Sequence, residues 1–196
     1  MYYATANFHE MEGKMFRFDT KLWFDRPPRG GEGVCIGAVM GLNPGSSQPA
    51  KEKGFATVDP TMGNILAAFE RAAENIGRPI TNGAFVRMWN LLYLCDSNED
   101  SAIDRWIRNP RFSDAPYLDE TEKDEAPFLW LAWTASTPVT LSVRAMSRQE
   151  PVCWLGMDRK PHYGKIKLTD VRHPSRKSVS ALATVVLPML DRVLKP

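Results

Sequence analysis

A chain of 196 residues that is 43% apolar and 24% charged has a globular composition and the length of one domain, so a single domain over 1–196 is expected. No apolar run approaches the roughly eighteen residues of a membrane span, and Met1–Lys14 shows no basic segment followed by an apolar stretch. A soluble, cytoplasmic monomer without a membrane partner is the expectation, and a net charge of +2 excludes a chain that is basic throughout.

In chain order, Lys14–Asp25 carries apolar side chains at Met15, Phe16, Phe18, Leu22, Trp23 and Phe24, the pattern of a hairpin or edge ribbon, and Arg26-Pro27-Pro28-Arg29-Gly30-Gly31 breaks it. Val34–Met40 is an apolar run of strand length that stops at a glycine, as a buried strand does where it opens into a loop. The loop Leu42–Val58 is rich in Gly, Pro, Ser and Lys. It ends at Asp59-Pro60, an N-cap followed by a proline suited to the first helical turn. Ile65, Phe69, Ala72 and Ile76 recur at helical spacing until Gly77. Phe85–Leu94 reads as a second core strand, Ile103–Arg108 as a short helix and Asn109–Glu125 as a polar insertion without assigned structure. Phe128–Trp133 is a third strand, Pro138–Met146 a helix, Val152–Leu155 a fourth strand and Lys165–Val171 a last short one. From Val179, Leu182, Val186, Met189, Leu190 and Val193 mark a C-terminal helix in which Pro188 is expected to make a kink. Strands alternating with helices predict an α/β domain around a mainly parallel sheet of four to five strands, flanked by helices and preceded by an N-terminal hairpin.

Charge is unevenly spread. Asp114–Glu125 holds six acids against Lys123, whereas Arg159–Lys177 holds seven bases against Asp170. The basic stretch is either solvated surface or a footprint for phosphates. Cys35, Cys95 and Cys153 are far apart among apolar neighbours, which favours buried thiols over a disulfide framework. They lack the paired spacing of a zinc site and the four ligands of an iron–sulfur cluster. No metal or other cofactor is expected.

Asn43 follows the first buried strand and is bracketed by Gly41, Pro44 and Gly45. Its amide can orient a water through the carbonyl oxygen while donating elsewhere, although Asn-Pro and Pro-Gly are equally ordinary turn dipeptides. Asn90, in Trp89-Asn90-Leu91-Leu92, ends the second strand. It either satisfies buried backbone or pairs with the donor–acceptor edge of a pyrimidine. His173 precedes Pro174 in the basic stretch and, read alone, is an exposed side chain. His9 and His162 read as surface.

The segment Val39-Met40-Gly41-Leu42-Asn43-Pro44-Gly45-Ser46-Ser47 resembles the first motif of the mismatch-specific uracil and thymine glycosylases, a branch of the uracil-DNA glycosylase superfamily. His173-Pro174-Ser175, roughly 130 residues later, resembles the superfamily's last motif. Trp89-Asn90-Leu91-Leu92 is similar to its base-reading segment. The resemblance implies a uracil-DNA glycosylase-like fold and a monofunctional enzyme that flips a base out of DNA, duplex or single-stranded, and hydrolyses its glycosidic bond, leaving an abasic site. In that role Asn43 places the water and His173 stabilises the departing base. Gly41, Leu42, Pro44, Gly45, Phe55 and Asn90 surround the base, and Ser46, Ser47, Lys165, Lys167, Arg172, Pro174, Ser175, Arg176 and Lys177 meet the DNA backbone.

The strictly uracil-specific branch carries a blocking tyrosine shortly after the motif proline. This chain has Gly45 there, which implies a mismatched or 5-substituted pyrimidine, hypermodified phage cytosine included, in a repair or phage-defence setting. Arg176-Lys177 stand where an apolar wedge is often found, and cations suit phosphates better than an emptied base stack. No lysine with an aspartate partner invites Schiff-base chemistry. Phe55 is the first choice for stacking on the flipped base, ahead of Tyr163, Trp89 and the Trp130/Trp133 pair. Two other classes stay open: a non-catalytic nucleic-acid-binding module of the same fold, and a hydrolase of free nucleotides or nucleosides.

Overall fold

The computed structural model describes residues 1–98, 126–132, 151–155, 158–164 and 177–195. The chain opens with a long hairpin, β1 (Tyr3–Met11) and β2 (Lys14–Trp23), in register from Met11 opposite Lys14 to Tyr3 opposite Trp23. Its two-residue turn, Glu12-Gly13, has both residues at positive φ, 50° and 69°. That backbone matches the right-handed twist of the flanking strands and is easiest for glycine at the second position. The hairpin expected within Lys14–Asp25 is therefore one continuous strand whose partner lies upstream. β2 bulges at Asp19, φ 45°, and the Asp19 carboxylate meets the buried Arg87 guanidinium at 3.3 Å.

β3 (Val34–Gly41) is the buried apolar strand that the sequence predicts. β4 (Phe55–Ala56) folds the following loop back onto β1. The α1 helix (Pro60–Asn75) begins with Asp59 as its N-cap, whose carboxylate accepts the Met62 N–H at 2.8 Å, and Gly77 at φ 65° follows its C-cap. β5 (Ala84–Asn90) stops four residues short of the expected Leu94. Beyond it Leu91 and Leu92 donate to the carbonyls of Gly41 and Leu42. β6 (Leu129–Leu131) and β7 (Val152–Leu155) follow, and β8 (Pro161–Tyr163) was not foreseen. The α2 helix (Val179–Val193), capped by Ser178, continues through Pro188. Expected elements at Ile103–Arg108, Asn109–Glu125, Pro138–Met146 and Lys165–Val171 lie outside the described residues.

The sheet has eight strands in the order β4-β1-β2-β5-β3-β6-β7-β8. The α/β class holds, but the sheet is larger and more mixed than a mainly parallel one of four to five strands. Its contiguous β5-β3-β6-β7 strands are parallel to one another, while the remaining strands are added antiparallel on both sides. The β1–β2 and β7–β8 pairs are joined by short connections, as antiparallel neighbours allow, and the two- and three-residue strands β4 and β8 keep the edges short. The larger core packs α1 and α2 on one face, with Ile65, Phe69, Leu182 and Val186 against Ile36, Val39, Val86 and Trp130. The opposite face buries Met40, Leu42, Trp89, Leu129, Leu131 and Trp154. Among the described residues no helix is long and apolar enough to cross a membrane.

Candidate functional site

Parallel strands leave a crevice beyond their C-terminal ends, where neighbouring connections diverge. Here β3 ends at Gly41, paired in register with Asn90 at the end of β5. A cavity of about 440 Å³ opens there. Its walls come from three places: the Gly41-Leu42-Asn43-Pro44-Gly45 turn after β3, Asp59 and Thr61 at the start of α1, and Asp96-Ser97-Asn98 after β5. Val39, Ile65, Met88 and Ala132 supply apolar lining. The volume falls within the roughly 300–1,000 Å³ of small-molecule sites.

Asn43 is half-buried, and its Nδ2 donates to the main-chain carbonyl of Asp96 at 2.7 Å. That bond fixes which way the amide points. Among the described residues no donor reaches Asn43 Oδ1, so the acceptor remains for a ligand or water. Gly45 holds φ 61°, and a Cβ built on it would meet nothing within 4 Å. The glycine is thus required by the backbone and leaves open space beside the turn.

Asn90 is 2% exposed, and neither Nδ2 nor Oδ1 has a hydrogen-bond partner among the described residues. Leaving such an amide unsatisfied costs about 1–3 kcal/mol per group, and native structures keep few. Its Oδ1 lies 3.1 Å from where a Gly41 Cβ would stand, so the amide sits directly against the glycine that lines the cavity. A larger residue at 41 would displace it. Behind the same wall the fully buried Arg17 donates to the Met88 thioether at 3.6 Å. Burial pushes the Cys95 thiol, next to Asp96, up to about 11, against the opposing pull of Arg17.

The structure brings Gly41, Leu42, Asn43, Pro44 and Gly45 to the cavity and Asn90 against it. It takes Phe55 elsewhere. β4 lies on the far side of the hairpin, four strands from β3, and the Phe55 ring packs edge-on to Tyr3 at 6.3 Å, with the Arg26 guanidinium 5.7 Å above it. Trp89 and Trp130 are core residues, and Tyr163 is exposed with its hydroxyl on the Thr184 carbonyl. No aromatic ring is found among the described lining residues. Ser46 is exposed, but Ser47 is 5% exposed and turned inward, out of reach of a phosphate.

Lys177, half-buried, precedes the N-cap of α2. Lys165, Lys167, Arg172, His173, Pro174, Ser175 and Arg176, like Trp133, lie outside the described residues. His162, read as plain surface, has defined partners: its ring stacks on Trp154 at 5.5 Å, and Nε2 is 2.9 Å from Asp158 Oδ1. That bond, reinforced by the Lys160 N–H, holds the Asp158 carboxyl below its ordinary range.

Sequence reasoning missed Asp59, which it used only to start a helix, and did not single out Thr61 or Asp96-Ser97-Asn98. A signal was present. A polar string directly after a buried strand occupies the same topological position as Asn43. Comparison with protein-family models, curated proteins and solved structures finds no match for this chain.

Proposed function

We propose that the chain is a monofunctional DNA glycosylase of uracil-DNA glycosylase-like fold, acting on a mismatched or 5-substituted pyrimidine and leaving an abasic site. The observation that carries this reading is Asn43. Its amide stands at the end of a central parallel strand, anchored through Nδ2 to Asp96 at 2.7 Å, and lines a cavity of suitable size. Rupture of a glycosidic bond leaves positive charge on the sugar and negative charge on the base. A water held by Asn43 Oδ1 is placed to capture the sugar.

The buried Asn90 amide offers one donor and one acceptor, the complement of a pyrimidine's pairing edge. The open space at Gly45 accommodates a substituent on the ring. With no aromatic among the described lining residues, apolar side chains such as Leu42, Ile65 and Met88 would form the walls around the base. His173 as donor to the base anion, and the cations from Lys165 to Lys177 as phosphate contacts, rest on the sequence motifs. One well-aimed donor is worth on the order of 3 kcal/mol.

A hydrolase of free nucleosides is the second reading. It is favoured by Asp59 and Asp96, two acidic residues among those that line the cavity, whose charge would disfavour a phosphate bound inside it. An alkaline-cleavage screen tests the proposal on duplex and single-stranded oligonucleotides carrying uracil, mismatched thymine and a panel of modified cytosines, with the free nucleosides assayed in parallel. Strand cleavage after alkali at one of the modified positions is expected. Release from nucleosides alone would select the second reading.

A further inference from the structure

We propose that Asp59 accepts the proton of the attacking water, a role that rests on the glycosylase reading and adds a second catalytic side chain to it. The need arises from the chemistry of Asn43. An amide oxygen can accept a hydrogen bond from water and so orient it, but it is too weak a base to keep the proton. The proton needs a carboxylate, and the cavity offers two.

Asp96 already serves the site through its main chain. Its main-chain carbonyl anchors Asn43 at 2.7 Å, and its Oδ1 accepts the Asn98 N–H at 3.0 Å. Asp59 lines the cavity from the start of α1. Its Oδ1 is fixed by the Met62 N–H at 2.8 Å, and among the described residues nothing bonds Oδ2. The helix cap thus holds the carboxylate in place while one oxygen stays available. No other titratable side chain lines the cavity among the described residues: the first turn of α1 has no acid, and β3 and β5 contribute Val39, Gly41 and Met88.

In the step, the water oxygen bonds to C1′ as the C1′–N bond breaks. The bonding pair leaves with the base, one water proton passes to Asp59 Oδ2, and the base anion is later protonated from solvent.

The test is single-turnover base release across acid to alkaline pH by wild type, Asp59→Asn and Asp96→Asn, on the best substrate from the oligonucleotide screen. Asparagine caps a helix as well as aspartate does, so Asp59→Asn keeps the helix start and removes only the base. Asp59→Ser, another good cap, repeats the test if the first variant melts early. The expected result is release slowed about 10²- to 10⁴-fold, with a fall in rate at acid pH expected of wild type and lost in the variant. Asp96→Asn should retain that fall. A wild-type rate and pH profile in Asp59→Asn, or an acid limb that disappears in Asp96→Asn instead, would overturn the role of Asp59 and leave the glycosylase reading standing. No release by wild type from any substrate would overturn both.

Discussion

Asn90 separates a functional explanation from a structural one at the scale of a single side chain. A buried amide with no partner among the described residues is a liability to the fold, so removing it should help stability and harm activity together. Asn90→Val, which places a β-branched apolar side chain suited to a strand at the end of β5, is expected to melt at or above the wild-type temperature, by up to a few degrees. Each kcal/mol corresponds to about 2–4 °C in a chain of this size. Base release should meanwhile be lost. A variant that melts clearly lower and still releases base would make Asn90 a structural residue.

The sequence showed Asn43, Gly41 and Gly45 plainly, because their surroundings are local: a strand end, a proline and two glycines. Phe55 was misplaced for the opposite reason. A ring in a polar loop has no obvious place to be buried, but the loop folds back to pair with β1, and Tyr3 and Arg26 cover the ring. Asp59 was legible as a cap and illegible as a cavity residue, because the second role depends on where α1 docks.

Among the elements, those with a strong apolar period or a clear punctuation mark were readable. α1 has its Asp59-Pro60 start, its Gly77 end and a stripe through Ile65, Phe69 and Ala72. β3 and β7 are apolar runs. β1 was silent because its fully buried positions are Ala4 and Ala6, small residues that leave no hydrophobic alternation to detect. β8 has only three residues and exists through its pairing with β7.

Packing between elements leaves no room at Gly37 in β3, where a Cβ would come within 2.8 Å of Phe128 and 3.2 Å of Phe69. Those two rings stack at 5.8 Å beneath the strand. Gly37→Ala should therefore cost about 1–3 kcal/mol through overpacking, seen as a lower melting temperature. Because Gly37 lies mid-strand and is not among the residues lining the cavity, activity below the melt should persist. An unchanged melting temperature would mean that the rings move aside without cost.

Over the whole molecule, the parallel strands at the centre put Asn43, Asn90 and the polar segment after β5 on one edge, and α1 closes the cavity from the helical face. The antiparallel additions widen the sheet, and β2 supports that edge by pairing with the Tyr93–Cys95 segment that leads into Asp96. The three cysteines are free thiols. Burial raises Cys95 from 9.0 to about 11 and raises Cys153 further, and Tyr163 is raised to about 12. A raised value means that the folded state favours the neutral group. The associated stability is present below pH 9.0, where the unfolded thiol is also protonated, and is lost as pH rises from there through about 11. Melting temperature should accordingly decline across that alkaline window, and thiol-specific reagents should reach Cys153 only after unfolding. A flat alkaline profile, or labelling of native Cys153 as fast as of Cys35, would contradict the packing around these groups.

The fold and the chemistry meet at Asn43. The most direct measurement is single-turnover formation of alkali-labile sites in a modified-pyrimidine oligonucleotide by wild type and by Asn43→Ala, with DNA affinity measured on both. Wild type should form abasic sites, and Asn43→Ala should do so at least about 10²-fold more slowly at nearly unchanged affinity. Equal rates in the two proteins, or no abasic product from wild type on any member of the panel, would contradict the account.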